Sequence, residues 1–310
     1  MSVINFDKLM GWAGVRVADA AWESIGSEFP HFFIVGQETP TQGKTFRAWD
    51  VWRKVLGHDL PTDIQETGDC VGASMTDVIN AMQCIEIALG DREKFEQTLI
   101  SYVYAYSRVI VGKNQLKGGA GSVGSWMAKT VSAGNGGCLS KKFKDVPAYS
   151  GKLSDQWGDD KKYDGKSFRD YVDESDDHTF SGGARITDWS QLRDGVINGR
   201  LGTIASNRGY TMKPDKDGFH KPSGTWSHQM SIMALCDDPR QSWVGIKNQW
   251  GDQHGQIKDF ETGELWPVGM LRVRREDFEK KHLTSSAECF VYSGLNGFVD
   301  LADDLEGLLI

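Results

Sequence analysis

The spacing of apolar and polar positions changes character about halfway along the chain. In the first half it is helical. Val71, Val78, Met82, Ile85 and Leu89 recur at helical intervals after Cys70, and Gly90-Asp91 closes the run, which predicts an amphipathic helix beginning at Cys70. A second helix is predicted over residues 96–111, rich in Tyr, and a short one over 126–133, after a glycine-rich loop at 118–124. From Trp189 the texture shifts: a helix over 189–198 precedes short strand-like runs at 202–206, 229–235, 243–247, 270–274 and 289–292. Residues 30–35 read as a short strand, 36–43 as a linker, and the polar stretch 150–183 as a long loop between lobes. Helices first and strands later predict an α+β protein of two lobes. The expected division is an N-terminal extension at 1–45, a helical lobe at 46–183, a strand-rich lobe at 184–295 and a tail at 296–310. The tail is acidic and apolar from Leu301 onward, as a short docking helix would be.

Composition narrows the function. With 310 residues, 39% hydrophobic and 25% charged, and a mean hydropathy of −0.44, the chain supports a substantial core in a soluble protein. Its net charge of −8 argues against a nucleic-acid partner. The local clusters Lys161-Lys162 and Arg272-Val273-Arg274-Arg275 read as solvated basic stripes. No apolar run reaches the roughly 18 residues needed to cross a bilayer, and the first residues lack a signal-peptide pattern. The expected location is therefore cytoplasmic or virion-associated, not secreted through a signal peptide. Five cysteines (70, 84, 138, 236 and 289) form no CxxC pair. They make a poor disulfide framework and a poor zinc site, and an unpaired thiol is a candidate nucleophile. No cofactor and no metal are expected.

Three segments carry chemistry. Cys70 sits at a helix start, where the macrodipole and free N–H groups favour a thiolate. The same N–H groups, with the Gln65 side-chain amide, can stabilise an oxyanion. His228 opens a predicted strand and is placed to act as a base. Asn248, in Ile246-Lys247-Asn248-Gln249-Trp250-Gly251, can hold the second imidazole nitrogen, with Trp250 shielding that bond.

Taken together, in this order along the chain, the three segments resemble the active-site blocks of the papain-like cysteine peptidases, and fainter similarity extends over residues 46–295. The resemblance implies a papain-like two-lobe fold, with a helical lobe and a β-barrel-like lobe meeting at a cleft. It implies Cys70 as thiolate nucleophile, His228 as its acid–base partner and Asn248 as orienter of His228. Gln65 and the Cys70 N–H would form the oxyanion hole. Ser227, Ala205 and Ser206 would line the substrate cleft, and Gly118 and Gly119 would clasp the substrate backbone. A peptide or protein would be the substrate.

The sequence departs from that pattern in several places. Gln65 precedes Cys70 by five residues where the family usually has six, Val71 replaces an aromatic residue, and Asp69 puts a carboxylate beside the thiol unless it turns away as a helix cap. No inhibitory propeptide is recognisable in the first 45 residues. A second expectation therefore stands beside the peptidase: a papain-fold structural or assembly protein, such as a bacteriophage virion component, whose termini are held in a larger protein assembly.

Overall fold

The computed structural model describes residues 5–25, 41–259 and 262–297. The strand expected at 30–35 and the C-terminal docking helix lie outside the described residues.

The element that organises the first lobe is the helix Cys70–Leu89 (α4), stopped by Gly90 in the left-handed region (φ 113°) with its N–H on the Glu86 and Ile87 carbonyls. Its residues are buried on every side from Cys70 to Glu86, so it is a central helix rather than an amphipathic surface one. Before it come α1 (Phe6–Leu9), α2 (Val15–Ile25), the strand β1 (Thr45–Arg47) and α3 (Ala48–Leu56). After it come α5 (Ile100–Tyr106), which runs into a π-helical turn at Ser107–Val111, then α6 (Gly124–Thr130).

The stretch at 150–183 is not a loop. It contains α7 (Gly151–Gly158), a 3₁₀ turn at Phe168–Tyr171, α8 (Val172–Ser175) and the strand β2 (Phe180–Arg185). Few apolar residues are needed to anchor it because they are large: Leu153, Trp157 and Phe168 are fully buried. Local caps do the rest, with Ser150 Oγ accepting from Leu153 N–H and a Ser167/Asp170 capping box.

The second lobe is an antiparallel sheet with a helix, α9 (Trp189–Ile197), packed against it and a second, α10 (Arg275–His282), between its last two strands in sequence. The remaining strands are β3 (Gly202–Ser206), β4 (His228–Cys236), β5 (Trp243–Lys247), β6 (Met270–Arg274) and β7 (Glu288–Leu295), in the order β2-β7-β3-β4-β5-β6, with β1 also paired to β4. Every residue of β3, β4 and β5 is buried, because both faces are covered: Met233 joins the cluster around α4, and Ile232 joins the one containing Leu192 of α9 and Phe278 of α10. The expected basic stripe is not solvated at Arg272, which is buried with its guanidinium against Phe219 at 4.6 Å and Trp243 at 4.8 Å. All five cysteines are free and buried. Among the described residues no helix is long and apolar enough to cross a membrane.

The lobes are joined by polar bonds in a buried seam. Asp77 of α4 accepts from Lys247 Nζ at 2.9 Å and from Gln249 Nε2 at 2.8 Å, while Lys247 also reaches Thr62 at 2.8 Å. Higher in the seam, Gln229 Nε2 donates to Ser74 Oγ at 2.9 Å and Ser231 Oγ donates to the Ser74 carbonyl at 3.0 Å. Removing one partner of a buried pair leaves the other charge unsolvated. Asp77→Ala should therefore lower the unfolding free energy by about 3–5 kcal/mol in urea titrations. Asp77→Leu combined with Lys247→Met should recover most of it, and a single variant within about 0.5 kcal/mol of wild type would contradict this role.

Candidate functional site

Cys70 is the first residue of α4, His228 the first of β4, where it pairs with Ser206 of β3, and Asn248 follows β5 directly. The fold thus brings the three predicted residues to one seam, each at most 1% exposed. His228 Nε2 lies 2.9 Å from Asn248 Oδ1, and the Trp250 ring packs tilted against the imidazole with centroids 4.6 Å apart. Backbone N–H groups of Gln229, Gly11 and Val71 near the Cys70 thiol act to lower its pKa, against the larger effect of burial. No described hydrogen bond joins it to His228, whose buried Nδ1 has no hydrogen-bond partner.

Burial sets the charge states. Desolvation pushes the Cys70 thiol up to about 12, with Asp69 adding to the rise, and holds His228 down to about 4. At neutral pH the pair is a neutral thiol beside a neutral imidazole. Asp69 is not a side-chain cap: it makes no cap bond and instead accepts from the Tyr149 hydroxyl at 3.1 Å. Its own pKa is raised by burial to about 7.

Gln65 is fixed at both ends of its amide. Its oxygen accepts from Trp250 Nε1 at 3.0 Å, and its nitrogen donates to the carbonyls of Leu9 and Thr67, each at 2.6 Å. The donor expected to face a substrate thus already carries a peptide carbonyl from the N-terminal segment.

That segment runs through the seam from Leu9 to Ala13. Gly11 packs on the backbone of Gly68, two residues before Cys70, the Gly11 carbonyl accepts from Ser122 N–H at 2.7 Å, and Ala13 N–H donates to the Ser122 carbonyl at 2.8 Å. On the opposite side Trp12 N–H donates to the Ser227 carbonyl at 3.0 Å. The Trp12 indole packs with Ala18, Ala21, Val123, Trp126 and Ala205, and its N–H meets the buried Glu288 carboxylate at 2.8 Å. Glu288 is in turn held by the N–H groups of Gly124 and Ser125, at 2.9 and 2.8 Å. The passage depends on glycine. A Cβ on Gly11 would stand 1.9 Å from the Gly68 carbonyl oxygen, and one on Gly121, already at φ 100°, would meet the Gly11 carbonyl oxygen at 2.5 Å.

Of the predicted cleft residues, Ser227 and Ala205 contact this segment. Ser206 does not figure among its partners; its hydroxyl accepts from Arg208 N–H at 3.1 Å. Gly118 and Gly119 do not pair with this segment: Gly118 N–H donates to Asp159, the Gly119 carbonyl accepts from Arg108, and the pairing residue is Ser122. Arg108, 1% exposed, shapes this loop by donating to the carbonyls of Leu116, Gly119, Gly121 and Gly158 at 2.7–2.9 Å. The sequence signal available for Arg108 was a charge inside an otherwise apolar helix; for Ser122 and Glu288 there was none. A cavity of about 270 Å³ borders Asn248, walled by Trp52, Leu60, Ile64 and Pro267. Among the described residues Glu86, Asp91 and Glu93 bring carboxylates within 4.8 Å of one another, at the far end of α4 from Cys70.

The thiol should report this burial. A raised folded pKa favours the fold up to the unfolded value near 8.5, and that contribution is lost as pH climbs toward 12. At pH 8, iodoacetamide should alkylate Cys70 about a thousandfold more slowly in the native chain than in urea, as read by peptide mass spectrometry. Comparable rates would show that the thiol is not sealed.

No protein-family model matches the sequence, and no curated relative matches it. Solved structures do. Xylellain, a cysteine protease from Xylella fastidiosa, is 12% identical with a TM-score of 0.53, over 94% of this chain and 99% of that one. Procathepsin B S9 from Trypanosoma congolense is 12% identical with a TM-score of 0.55, over 96% and 90%. The ragweed pollen cysteine protease Amb a 11 in its proform is 11% identical with a TM-score of 0.53, over 92% and 76%. Together with the helix-and-sheet lobes and the seam between them, these similarities show a papain-like two-lobe α+β fold.

Proposed function

We propose that this chain is a thiol-dependent amide hydrolase of the papain type, held closed by its own residues 9–13. The observation that carries the reading is that a backbone already lies hydrogen-bonded between Ser122 and Ser227, packed on Gly68 just before Cys70. The seam therefore accepts an extended peptide.

Once the segment leaves, water re-enters and the desolvation that keeps both groups neutral is relieved. His228 Nδ1 then takes the Cys70 proton, and the thiolate attacks the substrate carbonyl. The oxyanion is met by Gln65 Nε2, vacated by Leu9, and by the Cys70 N–H. His228 returns its proton to the leaving amine as the C–N bond breaks. Water, deprotonated by His228, then hydrolyses the thioester, releasing the acid and restoring the thiol. Asn248 keeps the imidazole aligned throughout.

One observation favours the alternative of a structural or assembly protein with a preserved but unused site: Cys70 and His228 are not hydrogen-bonded. Opening the seam separates the two readings. Gly11→Val, which forces the segment off Gly68, and Trp12→Ala, which removes its anchor, should each raise epoxide labelling of Cys70 at pH 7 by at least tenfold and release fluorogenic peptide hydrolysis. Cys70→Ala in either background should abolish both. A folded Gly11→Val or Trp12→Ala chain whose Cys70 stays inert would refute the hydrolase.

A further inference from the structure

Asn248 has two polar ends and both are engaged. Its Oδ1 meets His228 Nε2 at 2.9 Å, and its Nδ2 donates to His254 Nε2 at 2.8 Å. The amide is nearly symmetric in shape, so sterics do not decide which end faces His228; the neighbours' donors and acceptors do. If the ends were exchanged, Nδ2–H would point at His228 Nε2, which would have to become an acceptor. The His228 proton would then sit on Nδ1, leaving no lone pair there for a thiol proton.

His254 supplies the acceptor that matches the observed amide orientation. Since Nε2 accepts from Asn248, its proton is on Nδ1, which is buried without a hydrogen-bond partner. The ring is fully buried, stacked on Trp250 at 5.9 Å and beside Trp226 at 5.7 Å. Its backbone is tied as well: His220 Nε2 donates to the His254 carbonyl at 3.1 Å, while His220 Nδ1 accepts from Arg272 N–H at 3.3 Å. The titratable groups that face it are His220, from the loop before β4, and His228 of β4; both disfavour its protonation, as does burial, and Asp215 acts on His220 rather than on His254. Its pKa is held down to about 3, so the ring stays neutral and keeps one acceptor nitrogen, which the Asn248 Nδ2–H contact places at Nε2.

We infer that His254 is a positioning residue: its Nε2 lone pair fixes the Asn248 amide, and through it the Nε2–H tautomer of His228 that leaves Nδ1 free to accept the Cys70 proton. The consequence for catalysis rests on the hydrolase reading, but the hydrogen-bond order does not, and it is measurable without turnover. With ¹⁵N-histidine in the full chain, His228 should show a pyridine-type Nδ1 and a pyrrole-type Nε2, and His254 the reverse. His254→Phe keeps a ring but removes the acceptor, and should shift the His228 Nδ1 resonance toward the pyrrole type. His254→Gln, whose side-chain oxygen accepts, should restore it. Should His254→Phe fail to fold, Asn248→Asp tests the same link from the other side, because a carboxylate can only accept. His254 should then move its proton from Nδ1 to Nε2. An unchanged His228 pattern in His254→Phe, or an unchanged His254 pattern in Asn248→Asp, would overturn the inference. The expected spectra with an inert Cys70 in the opened variants would support this positioning while removing the hydrolase.

Discussion

The arrangement of the site depends on one buried carboxylate. Asp77 lies two turns beyond Cys70 on α4 and binds the residues on either side of Asn248, Lys247 and Gln249. A helix from one lobe is thereby fixed against a strand end from the other, at the place where thiol and imidazole must be brought into register. An apolar seam would bury as much surface but would tolerate sliding. A charge with defined donors does not, because each displaced bond leaves a polar group without water.

The same dryness works against reactivity. Cys70 occupies a helix start, which favours a thiolate, yet burial outweighs that advantage and the thiol is raised, not lowered. In the hydrolase proposed above, a resting and a reactive site would differ not in their residues but in water, which the N-terminal segment keeps out by filling the seam with its own backbone. Its docking uses main-chain bonds to Ser122 and Ser227 and one large side chain, Trp12, satisfied at its polar tip by Glu288. The contact is general in its backbone and specific in its anchor.

Much of this was legible in the sequence. The start of α4 at Cys70, the extents of β3, β5 and β6, and the placing of His228 and Asn248 at strand ends all follow from local periodicity and turn residues. What was not legible depends on contacts distant in sequence. The 150–183 region looks polar because three buried aromatic or aliphatic anchors suffice for its short helices. Ser122 pairs through its backbone, which no side chain advertises. Gly11, Gly68 and Gly121 are ordinary loop glycines until the chain is folded and they are found stacked backbone to backbone. His254 differs: it lies six residues past Asn248 with no sequence signal of a role, and only the direction of the Asn248 amide points to one.

The covalent continuity between Trp12 and Cys70 has a further consequence. A tethered segment faces its site at an effective concentration on the order of millimolar, whatever the dilution of the protein. Docking contacts too weak to hold a free peptide are then enough to keep the seam filled, and a competing ligand must exceed that local concentration to enter. Cutting the chain between the segment and α4 would change no contact in the seam, yet occupancy would from then on follow dilution.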